Sequence, residues 1–353
     1  MPLIRKPFKE MLVEKDSRAV DEQVSVVLTR VCPIQCEHCY SNCGPNASKG
    51  DNDKIISRII DICSNENVKT ILLTGGEPFT KYNFLLEVIK IIKEFNKDII
   101  LYTNAYWANS IDIVREKLSQ LKDVTLINTS VDKYHQKFIP LDNIINLVKG
   151  AQETGDFYSG VVITSEPGDD SLERLVRDKL SEFSQDYVEL FVHELCLTGR
   201  AKDVAAEYKD LLVCEYPKGV CTLMTSVIDE SGNLFGCCTV LEKFDYINPF
   251  CHGNVDDEGF DTVYERFRNN KVALGLRVLG PSRLAKMLIA SGRGEALKNK
   301  KYFESDMCAF CMDLFSDPEN YTYLEEVLSN GIWPEKLKLM ERIIYKEGEL
   351  LAK

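Results

Sequence analysis

The sequence predicts an α/β fold on a parallel sheet, followed by a smaller cysteine-rich domain. Short β-rich runs alternate with amphipathic helical stretches between residues 23 and 192 of the 353-residue chain. Strands joined by helix-length crossovers form parallel sheets. Eight of the 13 cysteines lie from Cys196 onward, where the alternation stops. The chain therefore divides into a β/α region and a second region whose chemistry depends on thiols.

Six strands and five intervening helices are predicted in order along the first region. The predicted strands are Gln23–Leu28, Thr70–Leu73, Ile99–Tyr102, Val124–Thr129, Gly160–Thr164 and Tyr187–Val192. The predicted helices are Asp53–Ser64, Tyr82–Glu94, Ile111–Gln120, Leu141–Glu153 and Ser171–Ser184. On the second helix, one face carries Leu85, Val88, Ile89 and Ile92, as in a helix packed on a sheet. Side chains at the carboxyl ends of these strands are the expected place for chemistry.

Three cysteines follow the first predicted strand. Cys32, Cys36 and Cys39 have the spacing C-x3-C-x2-C. Soft thiolates select iron–sulfur clusters or zinc. A structural zinc site has four protein ligands, and this loop offers three. Three thiolates on a four-iron cluster leave one iron open to a small molecule, and Cys43 as a fourth ligand would close that position.

A glycine pair follows the second strand, in Thr74-Gly-Gly-Glu-Pro78. With the cysteine loop, this segment resembles the radical S-adenosylmethionine (SAM) enzymes. The resemblance implies a partial (β/α)6 radical SAM barrel whose [4Fe-4S] cluster binds SAM at its open iron. One electron then cleaves SAM to methionine and a 5′-deoxyadenosyl radical, which abstracts hydrogen from a substrate.

The same resemblance implies which residues contact SAM. The implied residues are His38 at the adenine, Gly75, Gly76 and Glu77 at the amino group, Asn104, Ser130 and Asp132 at the ends of the third and fourth strands, and Arg200 at the carboxylate. His135 is a candidate acid–base, although a structural role is expected more often for a lone histidine. All but His38 follow strands two, three, four and six.

A second cysteine set lies in the cysteine-rich region. Cys221 and Cys237 flank a hairpin turn at Asp229–Gly232, and Cys308 and Cys311 form a C-x2-C pair. By chemistry alone, four such thiolates suit zinc or a second cluster equally well. The spacing C-x10-G-x4-C followed by C-x2-C is similar to the twitch domain, the short form of the SPASM extension. That similarity implies an auxiliary [4Fe-4S] cluster, with Cys214 as an alternative ligand.

The predicted domains are a radical SAM partial barrel (1–204), a twitch/SPASM-like auxiliary-cluster domain (205–318) and a C-terminal helical segment (319–353).

Cys238 directly follows the predicted ligand Cys237. In extended chain, adjacent side chains point to opposite faces, so Cys238 is expected to point away from the cluster. Its placement resembles the radical SAM epimerases of ribosomally made peptides, which share the segments Thr74–Glu77, Asn104–Trp107, Asp132–His135, Gly236–Cys238 and Cys308–Cys311 in the same order. The resemblance implies that the radical removes a Cα hydrogen and that the Cys238 thiol returns one, converting an L- to a D-residue.

Two further outcomes of the same initiation stay open: a peptide crosslinking (thioether or C–C) maturase and a small-molecule dehydrogenase with a twitch domain. A zinc-binding scaffold is the alternative from another class. The implied partners are a short ribosomal peptide and an electron donor such as flavodoxin or ferredoxin. A net charge of −12 disfavours nucleic acid. No signal peptide or membrane-length apolar run is visible, which predicts a cytoplasmic protein.

Overall fold

The computed structural model describes residues 22–155, 157–221, 225–238, 250–304 and 306–346. These described residues separate into two compact units. The first holds the chain up to Glu37, Cys43–Leu195 and the short turn Ile228–Gly232. The second holds the loop His38–Asn42, Cys196–Val227 and the chain from Asn233 onward.

The first unit is built on a parallel sheet of six strands in consecutive order, as predicted. The strands are β1 (Gln23–Val27), β2 (Thr70–Thr74), β3 (Asp98–Thr103), β4 (Leu126–Val131), β5 (Tyr158–Ser165) and β6 (Val188–Glu194). Each strand pairs in parallel with the next, with Gln23 opposite Thr70 and Thr70 opposite Asp98. Consecutive parallel strands place all six carboxyl ends at one edge, and Glu77, Asn104 and Asp132 follow the ends of β2, β3 and β4 there.

Helices form the crossovers between these strands. They are α1 (Asn52–Ser64), α2 (Tyr82–Glu94), α3 (Ile111–Leu118), the short α4 (Lys133–Gln136), α5 (Leu141–Thr154) and α6 (Ser171–Leu180). The Asp51 side chain caps α1 by accepting from two backbone N–H groups, and Ser110 caps α3. The predicted apolar face of α2 is buried, with Leu85, Val88, Ile89 and Ile92 all inside the core. These buried faces fix the helices against the sheet.

Several predicted element bounds differ from the structure by two to four residues, and the hydrogen bonds explain two of these differences. Strand β4 begins at Leu126 rather than Val124, because the Val124 N–H donates to Leu121 in a turn (2.9 Å) before the chain pairs with β3. Helix α6 ends at Leu180 rather than Ser184, because Ser181 and Phe183 turn back onto its last carbonyls. Neither change moves a predicted site residue away from its strand end.

The second unit contains short strands and a group of helices. Its elements are β7 (Ser226–Ile228, whose last residue belongs to the first unit), β8 (Asn233–Phe235), β9 (Cys251–Asn254), a 3-10 segment (Gly199–Leu211), α7 (Val255–Glu258), α8 (Phe260–Arg268), α9 (Lys271–Val278), α10 (Pro281–Ala290), a 3-10 turn (Glu295–Leu297), α11 (Met307–Leu314), α12 (Pro318–Ser329) and α13 (Trp333–Lys346). The predicted turn is confirmed, since Gly232 N–H donates to Asp229 (3.0 Å) between the neighbouring strands β7 and β8.

One apolar core holds the helices of the second unit together. Phe310 of α11 packs in the same cluster as Leu324 and Leu328 of α12 and Leu337 of α13. Helices on both sides of the predicted boundary at residue 318 therefore share a core, and residues 347–353 of the predicted C-terminal segment lie outside the described part. The three-domain division stays a prediction.

Within the described residues, no helix is both long enough and apolar enough to cross a membrane.

Candidate cofactor and active site

The loop after β1 carries the first two predicted cluster cysteines as buried thiols. Cys32 and Cys36 are 7% and 6% exposed. Backbone hydrogen bonds run from Cys32 N–H to Gly44 (3.1 Å) and from Gly44 N–H to Arg30 (3.2 Å), so the returning chain holds the loop. Cys43 is also buried, at 3% exposure, and lies on that returning segment.

The glycine pair after β2 packs directly on the backbone that leads into this loop. Gly75 has φ +139°, and a Cβ there would collide with the Thr29 carbonyl. A Cβ on Gly76 would lie 2.7 Å from the Arg30 carbonyl oxygen. The Gly76 N–H donates to Thr29 at 2.7 Å. The close approach that the glycines permit in this structure is therefore to the cysteine loop itself.

Glu77 joins the end of β2 to the end of β3. Its carboxylate accepts from the Asn104 N–H (2.7 Å), the Thr103 hydroxyl (3.0 Å) and the Phe79 N–H (3.0 Å). The side chain is fully buried. Burial raises the pKa of Glu77 to about 7, against the opposing effect of the two N–H donors and the hydroxyl. This carboxyl group positions Asn104.

Asn104 reaches a cluster cysteine. Its side-chain amide donates to the Cys32 sulfur at 3.4 Å, and its amide oxygen accepts from the Tyr106 N–H at 3.0 Å. The asparagine is 5% exposed. Glu77 thus fixes a residue whose N–H points at a thiol.

A second carboxylate at the end of β4 plays a comparable part. Asp132 caps α4 by accepting from the backbone N–H groups of Tyr134 (3.0 Å) and His135 (2.9 Å). Its other oxygen lies 2.7 Å from His135 Nδ1, and the His135 ring is hydrogen-bonded to the Cys36 thiol. Burial alone would lower the pKa of His135, but Asp132 and then Cys36 raise it to about 10. Ser130, half-buried in β4, is opposite Val162 of β5.

The third loop cysteine lies in the second unit, beside the segment that follows β6. The Arg200 N–H donates to the Cys39 carbonyl at 3.2 Å. Gly199 has φ +58°, and a Cβ there would come within 2.7 Å of the same carbonyl. Glycine is therefore required where this segment meets the loop. His38 and the Arg200 side chain are half-buried.

The second unit contains the predicted ligands of the auxiliary cluster. The thiols that act on one another electrostatically are Cys221, Cys237, Cys308 and Cys311, together with Cys238 and Cys196. Burial raises the pKa of both Cys311 and Cys238, and the surrounding thiols raise it further. This concentration of soft ligands fits an iron–sulfur cluster.

Asp306 explains how the C-x2-C pair is presented. Cys308 and Cys311 lie one turn apart on α11, so both thiols are on one helical face. Asp306 caps this helix by accepting from the Ala309 N–H (2.9 Å) and also accepts from the Leu197 N–H (3.1 Å). Burial raises the pKa of this carboxyl, and the backbone donors oppose the rise. The cap connects the C-x2-C helix to the chain after β6.

Sequence reasoning missed Cys196 and the cap at Asp306. A hydrogen bond with Cys308 is the main cause that raises the pKa of Cys196. Its signal in the sequence was its position directly after β6. Cys214 is paired through its backbone with Tyr302, at 3.0 and 2.8 Å. Its role as an alternative ligand stays a prediction.

Strand alternation does not determine where the Cys238 side chain points. Strand β8 ends at Phe235, and Cys237 and Cys238 lie in a bend beyond it. The period-two rule holds only in extended chain. The half-buried Cys238 lies near Cys237, Cys308 and Cys221.

The fold and the site define a class of enzyme. Residues 26–177 match the family model of the Radical SAM superfamily. This match identifies a radical SAM domain in that part of the chain. The cofactors of this superfamily are a four-iron cluster and SAM, and the buried thiols of the β1 loop suit such a cluster.

Among relatives, YydG of Bacillus subtilis strain 168, provisionally assigned to peptide biosynthesis, is 23% identical over 322 residues, covering 86% of this chain and 95% of YydG. A GTP 3′,8-cyclase of Helicobacter pylori strain 26695 is 26% identical, covering 59% of this chain and 70% of the cyclase. The solved structure of native anSMEcpe with bound AdoMet and Cp18Cys peptide aligns at 12% identity with a TM-score of 0.47, covering 90% of this chain and 98% of that one.

Proposed function

We propose that this enzyme is a radical SAM peptide epimerase that converts L- to D-residues in a ribosomally made peptide. The observation that carries the proposal is Cys238, a half-buried thiol placed directly after Cys237 among the second set of cysteines. Similarity to YydG, which covers 86% of this chain and 95% of YydG, supports a peptide substrate. The partners are a short ribosomal peptide and a flavodoxin or ferredoxin as electron donor, in the cytoplasm.

The cofactor roles are assigned residue by residue. Cys32, Cys36 and Cys39 hold the SAM-binding [4Fe-4S] cluster, and the auxiliary cluster is on the second thiol set. The ligands of that auxiliary cluster are Cys221, Cys237, Cys308 and Cys311. When bound, SAM and its cluster supply the radical that removes a Cα hydrogen.

Several chain residues orient SAM in this proposal. Gly75, Gly76 and Glu77 form the wall near its amino group, and Asn104, Ser130 and Asp132 lie at the next two strand ends. The remaining contacts are His38 at the adenine and Arg200 at the carboxylate.

Cys238 supplies the returning hydrogen atom in this scheme. A thiol in a low-polarity environment stays protonated, so the S–H bond is available. The hydrogen passes from sulfur to the peptide Cα on the face opposite the abstraction. The sulfur is left as a thiyl radical, and one electron from the electron donor together with one proton restores the thiol before another turnover.

The test is incubation with SAM, reductant and the short peptide encoded beside the gene, in deuterated water. Epimerisation adds one mass unit per event and yields a D-residue, because the exchangeable S–D delivers the new hydrogen. Cys238→Ala should abolish the D-residue while 5′-deoxyadenosine still forms. Cys63→Ala, which alters a buried thiol on α1, is the matched control and should behave as wild type.

Three outcomes contradict epimerisation. Loss of two hydrogens with L-stereochemistry retained, independent of Cys238, would indicate crosslinking or dehydrogenation. Formation of 5′-deoxyadenosine with an unchanged peptide would assign another substrate. Zinc without iron or sulfide in anaerobically prepared protein would remove radical chemistry altogether.

A further inference from the structure

Two buried carboxylates of the first unit each aim a nitrogen at a cysteine sulfur of the β1 loop. Glu77 fixes Asn104, whose amide donates to Cys32 at 3.4 Å. Asp132 fixes His135, whose ring is bonded to Cys36. Asn104 follows β3 and His135 follows β4, so both cysteines are contacted from the carboxyl ends of other strands of the sheet.

The side chains of Asp132 and His135 are held in place by their contacts. Asp132 is 1% exposed, accepts from two backbone N–H groups and contacts His135 Nδ1. Both partners of the Nδ1 contact are therefore fixed, the carboxylate by the start of α4 and the ring by the carboxylate. The His135 side chain is 15% exposed.

The orientation of the ring leaves its second nitrogen for sulfur. The carboxylate lies at Nδ1, so Nε2 is the atom available to Cys36, and the imidazolium form of the ring donates to both partners. A ring nitrogen of His135 and the Cys36 sulfur lie within 4.8 Å of each other. A histidine held by a carboxylate on one side and directed at a metal ligand on the other is a known way to adjust a metal centre.

We propose that His135, aimed by Asp132, bonds to the Cys36 sulfur and sets how readily the cluster on this loop accepts an electron. Hydrogen bonds to cluster sulfurs are one of the factors that fix reduction potential. A donor at sulfur favours the reduced, more electron-rich state. Asp132 is a positioning residue in this role. The inference rests on the proposed function in taking Cys36 as a cluster ligand.

The test measures the midpoint potential of the cluster in anaerobic holoenzyme by EPR-monitored titration, following the signal that SAM changes. His135→Phe keeps an aromatic ring but removes both nitrogens, and the potential should become more negative. A tenfold loss in the reduced-to-oxidised ratio at fixed potential corresponds to a shift of about 59 mV for one electron. His135→Gln, which restores an N–H, should recover part of the shift.

Gln136→Ala is the matched control. Gln136 lies on the same short helix as His135, and its side chain donates to the Ile139 carbonyl (2.9 Å) rather than to a cysteine. An unchanged potential in His135→Phe with normal iron content would overturn the inference. Loss of the SAM-sensitive signal and its iron in both His135 variants would also overturn it, since His135 would then be a ligand. A separate variant tests the ligand assignment. If Cys36→Ala retained this cluster, the proposed ligand set would be wrong, whatever the His135 variants show.

Discussion

At the scale of single residues, the glycines after β2 pack against the cysteine loop, and the carboxylate of Glu77 holds a residue that contacts it. Gly75 and Gly76 admit the backbone of residues 29–31, and Glu77 holds Asn104 against Cys32. The motif resemblance had implied SAM contacts for the same positions. One residue can both shape the loop and contact the cofactor, and variants can separate these two roles.

Gly76→Ala should destabilise the protein by steric collision. The added methyl group would lie 2.7 Å from the Arg30 carbonyl and closer to that of Val31, so backbone must shift. Overpacking of this kind costs about 1–3 kcal/mol in the free energy of unfolding, measurable by urea titration. Gly44→Ala, with its nearest neighbour at 3.7 Å, is the control and should be close to neutral. Equal stability of the two variants would contradict the packing argument.

Glu77→Gln should change how stability depends on pH. Burial raises the pKa of Glu77 from 4.5 to about 7, so the folded protein binds this proton more tightly than the unfolded chain. That stabilising contribution is complete below pH 4.5 and is lost as the pH rises through about 7. Glutamine does not ionise.

Between about pH 5 and about pH 8, the unfolding free energy of wild type relative to Glu77→Gln should fall by up to about 3 kcal/mol. Urea titrations at several pH values measure this difference. Parallel stability curves for the two proteins would show that Glu77 has the same pKa folded and unfolded.

At the scale of elements, helix ends present the thiols of the second unit. Helix α11 places Cys308 and Cys311 in its first turns, where the helix dipole favours negative thiolates. Asp306 sets where that helix begins and also accepts from Leu197. The C-x2-C spacing is read from sequence, but the cap that orients it lies outside that motif.

Asp306→Ala should lower both stability and iron content. Removing an N-cap costs about 1 kcal/mol, and the Leu197 N–H also loses its acceptor. Asp317→Ala is matched, since Asp317 caps α12 in the same way through Glu319 but that helix carries no cysteine. We expect similar cap losses in unfolding free energy and a fall in iron only for Asp306→Ala. Full iron content in both would argue against Asp306 as the support of the C-x2-C pair.

At the scale of the whole molecule, two sets of thiols occupy separate parts of the chain. Cys32 and Cys36 lie in the first unit, and the C-x2-C pair lies in the second. The proposal of two clusters therefore makes a prediction about their independence.

Replacing Cys32, Cys36 and Cys39 by alanine, or Cys308 and Cys311 by alanine, should each remove about half of the iron and sulfide. Elemental analysis of anaerobically reconstituted protein measures this. Only the first replacement should abolish the EPR change on adding SAM. If either replacement removed all the iron, a single cluster would have to draw on both sets.

The sequence by itself determined the six-stranded parallel sheet, the order of its helices, the cysteine loop after β1 and the hairpin before Cys237. These features depend on local periodicity and spacing, which a single sequence displays directly. The superfamily followed from the same motifs.

Only the tertiary structure decided which distant residues meet. The bond of His135 with Cys36 depends on how β4 and β1 lie in the sheet, and the bond from Asn104 to Cys32 depends on β3 and β1. The contact of Asp132 with His135 is local, because the two residues lie three apart at the start of α4. Cys196 joins Cys308 only because the chain after β6 meets the start of α11. Such pairings depend on packing between segments about a hundred residues apart, which no local pattern encodes.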